Sequence, residues 1–123
     1  MKKFLLFIFI LLSTDVFGFE KTTNFTFEKF NNAQKKGRTI VVHSWNENCT
    51  TCAKQSKIFA KATNDFEDVE FFFYEQIKNK DIAEALNIKF WTTILVFKGK
   101  QEVAREIGLS NKDDIYKIIK EAI

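Results

Sequence analysis

Two cysteines, Cys49 and Cys52, are the residues best suited to chemistry in this 123-residue chain, which has no others. They stand two residues apart, after a β-rich run at 39–45 and at the start of a helix-compatible segment at 49–64. A Cys-x-x-Cys pair at a strand-to-helix junction is typical of a redox site. The partial positive charge and the unpaired N–H groups of a helix N-terminus favour a thiolate over a thiol.

The first 18 residues have the pattern of a secretory signal peptide. A basic head precedes an apolar run at 4–12 that is too short to cross a bilayer as a helix. Val16 and Gly18 stand three places and one place before a cut after Gly18, which leaves a domain of residues 19–123. We therefore expect an exported, periplasmic protein. An uncleaved N-terminal anchor is the alternative.

Residues 19–123 are enough for one domain with a buried core. The formal net charge is +3, and charges of both signs are interspersed without a basic run that contains aromatic residues, so nucleic acid is not an expected partner. An exported protein meets an oxidising compartment, where structural disulfides are common. Both cysteines stand in one short motif here, which indicates that they react rather than brace the fold.

The remaining pattern predicts eight elements in the order α-β-α-β-α-β-β-α. The first two strands must be parallel because a helix crosses between them, and the last two form an antiparallel hairpin. We therefore expect an α/β fold, with a four-stranded mixed sheet flanked by helices on both faces. The strand at 69–74 is apolar on both sides and is expected at the centre of the sheet. The predicted helices cover 25–36, 49–64, 81–86 and a segment capped by Ser110, and the strands cover 39–45, 69–74, 93–97 and 102–107.

This order, with Cys-x-x-Cys after the first long strand, resembles the thioredoxin fold over residues 25–123. The residues that carry the resemblance lie at 41–45, 49–52 and 93–99. Trp45, four residues before Cys49, matches the family tryptophan that packs behind the active site. The chain looks most like the exported thioredoxin-like proteins of bacteria. The resemblance implies a thiol-disulfide oxidoreductase without a cofactor, which acts as a monomer on protein disulfides or dithiols.

The loop before the strand at 93–97 departs from the family. Thr92 stands where thioredoxins have a cis-proline, and a cis bond before a non-proline residue costs ~3–4 kcal/mol. We therefore expect a trans Trp91–Thr92 bond. In the family this loop binds substrate, which makes Trp91, Thr92 and Thr93 the expected substrate-binding residues. Core packing of Trp91 and a merely tolerated surface threonine at 92 are the alternatives.

His43 is the second departure. It stands six residues before Cys49, where thioredoxins bury an aspartate that relays protons to the second cysteine. Alternate residues of a strand share a face, so His43 should lie on the same side as Val41 and Trp45. An imidazole there could relay the proton of Cys52. The alternative is a neutral core histidine with a hydrogen-bonded ring.

These residues suggest a mechanism in which Cys49 attacks a partner disulfide and Cys52 then resolves the mixed disulfide. The resemblance favours the reductive direction and requires a membrane-bound or soluble redox partner to recharge the pair. A copper-binding or copper-delivery module that uses the same cysteines and His43 is a second hypothesis. A binding domain with an inert disulfide is a third.

Overall fold

The computed structural model describes residues 22–123, so the predicted signal peptide at 1–18 lies outside the described residues. The elements follow the predicted order. The described residues contain four helices and four strands, in the order α1 Phe27–Lys35, β1 Thr39–Trp45, α2 Thr50–Asp65, β2 Val69–Glu75, α3 Lys80–Ala85, β3 Thr93–Lys98, β4 Gln101–Ile107 and α4 Lys112–Lys120.

The strands form one mixed sheet in the order β2-β1-β3-β4. β1 pairs with β2 in parallel and with β3 in antiparallel, and β3 pairs with β4 in antiparallel. The α/β class and the four-stranded mixed sheet are therefore confirmed. The expectation that the apolar strand is central is wrong, because β2 lies at one edge. Its residues are apolar on both sides because helices cover both faces of the sheet, which says nothing about its place in the strand order.

The outer edge of β2 is covered by residues 22–25. The backbone N–H groups of Asn24 and Phe25 donate to the carbonyl of Phe73 at 3.0 and 3.3 Å, and the N–H of Phe73 donates to Asn24 Oδ1 at 2.6 Å. Asn24 Nδ2 also donates to the carbonyl of Phe71 at 3.0 Å. An uncovered edge strand can pair with another chain, so this segment closes the sheet on that side.

Two buried clusters lie on opposite faces of the sheet. α2 and α4 pack on one face through side chains such as Phe59 and Ile115, together with the odd-numbered residues of β1. α1 and α3 pack on the other face through Phe30 and Ile82. This arrangement confirms helices on both faces. It also places Cys52 within the α2/α4 cluster, which excludes water from one side of the motif.

Side chains cap the first and the last helix. Thr26 caps α1 by accepting a hydrogen bond from the N–H of Lys29 at 3.1 Å. The prediction of Ser110 as the cap of the last helix is wrong by one residue. Asn111 caps α4 instead, because its Oδ1 accepts from the N–H groups of Asp113 and Asp114. Within residues 22–123, no helix has the length and apolar character needed to cross a membrane.

Candidate active site

The two cysteines lie at the N-terminus of α2 and are joined in a disulfide, with Cα atoms 5.2 Å apart. Cys49 is the N-cap residue and is half-buried, whereas Cys52 lies inside the first turn and is only 2% exposed. One sulfur therefore faces the surface and the other faces the core. This asymmetry supports the order of attack that the sequence predicts, in which the outer cysteine meets the partner first.

The N-terminus of α2 favours negative charge on the outer sulfur. Cys49 Sγ accepts a hydrogen bond from the backbone N–H of Cys52 at 3.1 Å. The first turn of α2 contains no acidic residue that would oppose a thiolate. Because the helix dipole and the N–H groups both stabilise an anion there, the reduced Cys49 is expected to favour the thiolate over the thiol.

Trp45 occupies the position that the sequence predicts for active-site packing. Its side chain is 6% exposed and belongs to the same buried cluster as Cys52. The indole Nε1–H donates to the carbonyl oxygen of Thr22 at 3.0 Å. The end of β1 is thereby joined to the segment that covers the edge of β2, so the strand that leads into the motif is held on two sides.

Thr92 adopts a left-handed backbone conformation with φ of 75°. Such a conformation is unusual for a β-branched residue and costs about 1–3 kcal/mol. The Trp91–Thr92 bond is trans as predicted, since residues 22–123 contain no cis peptide bond. Hydrogen bonds hold Thr92 at both ends: its N–H donates to the carbonyl of Ser44 at 2.9 Å, and its own carbonyl accepts from the N–H of Gly108 at 3.2 Å.

Gln55 is a site residue that the sequence analysis missed. Its side chain is fully buried, and its Nε2 donates to the carbonyls of Thr92 at 3.0 Å and Leu109 at 2.9 Å. Gln55 Oε1 lies 2.8 Å from His43 Nε2. One amide thus connects the motif helix, β1 and two loops. The available signal was a polar residue one turn after Cys52, on the face that buries the helix.

The hydrogen bonds of Gln55 determine the tautomer of His43. Because Gln55 Nε2 donates to two carbonyls, its Oε1 must accept, and His43 Nε2 must carry the proton. His43 Nδ1 is then an unprotonated acceptor, and it has no hydrogen-bond partner among residues 22–123. Burial lowers the pKa of His43 to about 4, and the hydrogen bond to Gln55 offsets only part of this effect.

The ring of His43 lies on the predicted face of β1, in a mostly aromatic environment. Its centroid is 4.9 Å from that of Phe59 and 6.1 Å from that of Phe73. The ring is therefore neutral at pH 7. The ring therefore matches the alternative of a neutral core histidine with a hydrogen bond. Its Nδ1 nevertheless keeps a free lone pair, on the side of the sheet that buries Cys52.

The three residues expected to bind substrate differ in exposure. Trp91 is 44% exposed and Thr92 is half-buried, whereas Thr93 is 2% exposed and its hydroxyl donates to the carbonyl of Phe90. Other large apolar side chains in the neighbouring loops and at the end of β4 are also exposed, namely Ile77, Phe90 and Ile107. The loop that precedes β3 therefore presents an apolar surface. The hydroxyl of Thr93 is not part of this surface, because it donates to the backbone of the loop at Phe90.

No group of three or more His, Cys, Asp or Glu side chains in residues 22–123 is arranged to share a metal ion. Within this part of the chain, His43 does not form such a group with Cys49 and Cys52. A metal hypothesis would consequently depend on the two cysteine sulfurs alone, and these are bonded to each other in this structure.

Comparison with known proteins agrees with this geometry. A family model described as Thioredoxin matches residues 21–121. A thioredoxin from Mycoplasma genitalium is 35% identical over 78 residues, which are 63% of this chain and 76% of that protein. A thioredoxin H-type from Fagopyrum esculentum is 28% identical over 91 residues, which are 74% of this chain and 78% of the relative.

Solved structures with similar folds include Trxlp from Edwardsiella tarda, with a TM-score of 0.73 and 18% identity over 77% of this chain and 94% of that one. Thioredoxin from Fasciola hepatica has a TM-score of 0.70 and 25% identity over 78% of this chain and 90% of that one. These similarities confirm that the sheet and helices have the expected fold.

Lowering the pH should destabilise the fold through His43. The unfolded chain binds a proton at this residue near pH 6.5, whereas the buried ring does so only near pH 4. Stability rises with pH wherever the unfolded state binds more protons. The contribution of the neutral ring is therefore complete above pH 6.5 and falls by about 3 kcal/mol as the pH approaches 4.

Urea unfolding of the wild type and of His43→Phe across this pH range measures the effect, because only the wild type should show the His43 contribution. An NMR titration is unambiguous, since the chain has one histidine. A midpoint close to that of a solvent-exposed imidazole would contradict the burial argument.

Proposed function

The chain belongs to the thioredoxin family, and we propose that it is an enzyme that reduces disulfides in other proteins. We further propose, from the pattern of its first 18 residues, that it is exported. Its activity class is thiol-disulfide oxidoreductase. The observation that supports the proposal most directly is the environment of the sulfurs. Cys49 is half-buried at the helix N-terminus, and Cys52 is buried directly behind it.

The reaction begins with the reduced pair. The Cys49 thiolate attacks one sulfur of the partner disulfide, so that a bond forms between Cys49 and the partner while the partner S–S bond breaks. The released partner thiolate takes up a proton. Cys52 then loses its proton and attacks Cys49 Sγ, which releases the second partner thiol and forms the Cys49–Cys52 disulfide. Two electrons pass from the pair to the partner, whose two thiolates take up one proton lost by Cys52 and one proton from the solvent.

The polypeptide substrate would lie on the loop before β3. Trp91 offers an exposed aromatic surface, and Thr92 lies in the loop that Gln55 ties to the motif helix. Thr93, whose side chain is buried, would contribute through the shape of the loop rather than by touching the substrate. An apolar, extended segment beside the partner disulfide fits this surface best.

His43 would take the proton of Cys52 in the second step. The ring is buried on the same side of the sheet as Cys52, and Nδ1 retains a free lone pair. Burial lowers the pKa of His43 to about 4, which keeps the ring neutral at pH 7 and able to accept a proton. The same shift makes the ring a weak base, so His43 would hold the proton only briefly before it passes to solvent.

Exchange in either direction needs a second redox protein. In the proposed direction, a membrane-bound or soluble dithiol partner reduces the Cys49–Cys52 disulfide after each cycle. The pair then acts in a single chain, so we propose a monomer. Nothing in this scheme uses a cofactor, because the electrons are carried by the sulfurs themselves.

Replacing Cys52 with alanine should trap partner proteins as stable mixed disulfides, because Cys49 can still attack but nothing resolves the product. Cys49→Ala should trap none, since its remaining sulfur is only 2% exposed. Non-reducing gel electrophoresis of cell-envelope extracts measures both. Equal trapping by the two variants would overturn the assigned order of attack.

The same gels test His43. With both cysteines present, His43→Phe should accumulate mixed disulfide at neutral pH because the second step slows while the first does not. Raising the pH should remove the excess, since Cys52 then ionises without help. An unchanged amount of mixed disulfide at every pH would mean that His43 only packs in the core.

The reduction potential of the Cys49–Cys52 pair distinguishes the two directions. Equilibration with a glutathione series should give a value close to that of thioredoxin, about −270 mV, if the protein is a reductant. A value close to about −120 mV would indicate an oxidant of the DsbA type. Failure to equilibrate at all would identify an inert disulfide.

Export predicts that the protein recovered from the cell envelope begins at Phe19. N-terminal sequencing of the full-length chain, expressed in a bacterium with a secretory pathway, measures this. Gly18→Arg is the control, because a large charged residue before the cut should preserve the leader. Recovery of a chain that begins at Met1 would show instead that the N-terminal segment is kept as an anchor.

A further inference from the structure

A β-bulge in β4 brings two oppositely charged side chains to one face of the sheet. Val96 pairs with Ala104, and the next residue of β3 pairs with Glu102, so Val103 has no residue opposite it. Residues three apart on a regular strand point to opposite faces. The extra residue reverses this, so Glu102 and Arg105 both lie on the face covered by α1 and α3.

The guanidinium of Arg105 uses four of its five N–H groups in this position. Nε and Nη2 donate to the two carboxylate oxygens of Glu102 at 3.0 and 2.7 Å. Nη1 donates to the carbonyl of Asn87 at 2.9 Å, and Nη2 also donates to the carbonyl of Leu86 at 2.9 Å. The hydrogen bond to Glu102 raises the pKa of Arg105 further above its usual value, so the group is always charged.

These two carbonyls mark the end of α3. Leu86 is its C-cap residue, and Asn87 follows in a left-handed conformation with φ of 52°. The last carbonyls of a helix have no hydrogen-bond partner within the helix. Arg105, which lies in β4, donates to the two carbonyls at this helix end. The chain runs from this point directly through Phe90 and Trp91 to Thr92. Arg105 consequently fixes the start of the loop whose other end is held by Gln55.

The loop between these two attachments separates two surface cavities. One, of about 350 Å³, is lined by the apolar side chains of Ile77, Ile88 and Trp91 together with charged and polar residues. The other, of about 400 Å³, is lined by Phe90, Ile107 and the Arg105 side chain itself. The neighbouring aromatic residues of the loop thus face different cavities. A displacement of the loop would change both cavities together.

We infer that Arg105 is a positioning residue for protein substrates, which holds residues 86–91 so that Phe90 and Trp91 meet the partner polypeptide on the two sides of the loop. The inference rests on the proposed function, because it takes the loop as the surface that receives the partner. Arg105 does not touch the reacting sulfurs. Arg105 affects the binding of a polypeptide substrate, whereas the reactivity of Cys49 depends on the N-terminus of α2.

Arg105→Met tests this inference because methionine keeps the apolar part of the side chain and removes every N–H donor. Reduction of insulin disulfides, with dithiothreitol as the electron donor, should show a KM about tenfold higher and a kcat within about twofold of the wild type. 5,5′-Dithiobis(2-nitrobenzoic acid) is a small disulfide that needs no loop contacts, so its rate of reduction should remain within about twofold of the wild type. The reduction potential of the cysteine pair should be unchanged.

The matched control is Arg38→Met. Arg38 forms an ion pair with Glu70 at 3.5 Å and is 39% exposed, against 33% for Arg105, but it lies just before β1, at the opposite end of that strand from the motif. Its loss should leave the KM for insulin unchanged. Arg105→Lys should recover only part of the affinity, because an ammonium cannot bind both carbonyls and a carboxylate in the same planar geometry.

Several results would overturn the inference. An equal rise in KM for Arg38→Met, full recovery by Arg105→Lys, or a loss of the same size with the small disulfide would each show that Arg105 does not act through the loop. If Arg105→Met fails to fold, Glu102→Gln provides the second variant, with an expected rise in KM of about threefold. A wild type that reduces neither substrate would refute the proposed function itself, which is a distinct outcome.

Discussion

The hydrogen bonds of one buried amide hold the active site together. Gln55 accepts from the imidazole of His43 and donates to the carbonyls of Thr92 and Leu109. A buried polar group is stable only when its hydrogen bonds are made, and here the amide makes three bonds, each to a different part of the site. The motif helix, the histidine behind it and the loop before β3 therefore keep fixed relative positions, including the strained backbone of Thr92.

The sequence predicted the elements that local patterns determine. The order of helices and strands, the face of β1 that His43 shares with Trp45, and the trans bond before Thr92 all follow from short-range rules and agree with the structure. The edge position of β2 could not be read from its residues, because burial on both faces occurs in edge and central strands alike. Gln55 was missed since its three partners are 12, 37 and 54 residues away.

In the function proposed above, the chemistry and the recognition of the partner depend on different parts of the fold. The reactivity of Cys49 comes from the N-terminus of its own helix and needs only local structure. The loop that carries Trp91 is held instead by distant residues, with Gln55 on one side and Arg105 on the other. Both attachments end on backbone carbonyls, so the identity of the loop side chains is free to change without disturbing the loop itself. Specificity for partners can therefore vary while the redox pair stays the same.

Residues 22–25 protect the outer edge of β2 from pairing with a second chain. Its hydrogen bonds satisfy the outer backbone groups of β2, and Thr22 accepts the indole proton of Trp45. Proteolytic trimming past Asn24 would leave the backbone of an apolar strand open to a second chain. We expect such a trimmed protein to keep both cysteines but to sediment as larger species at rising concentration, so residues 22–25 protect the domain against aggregation.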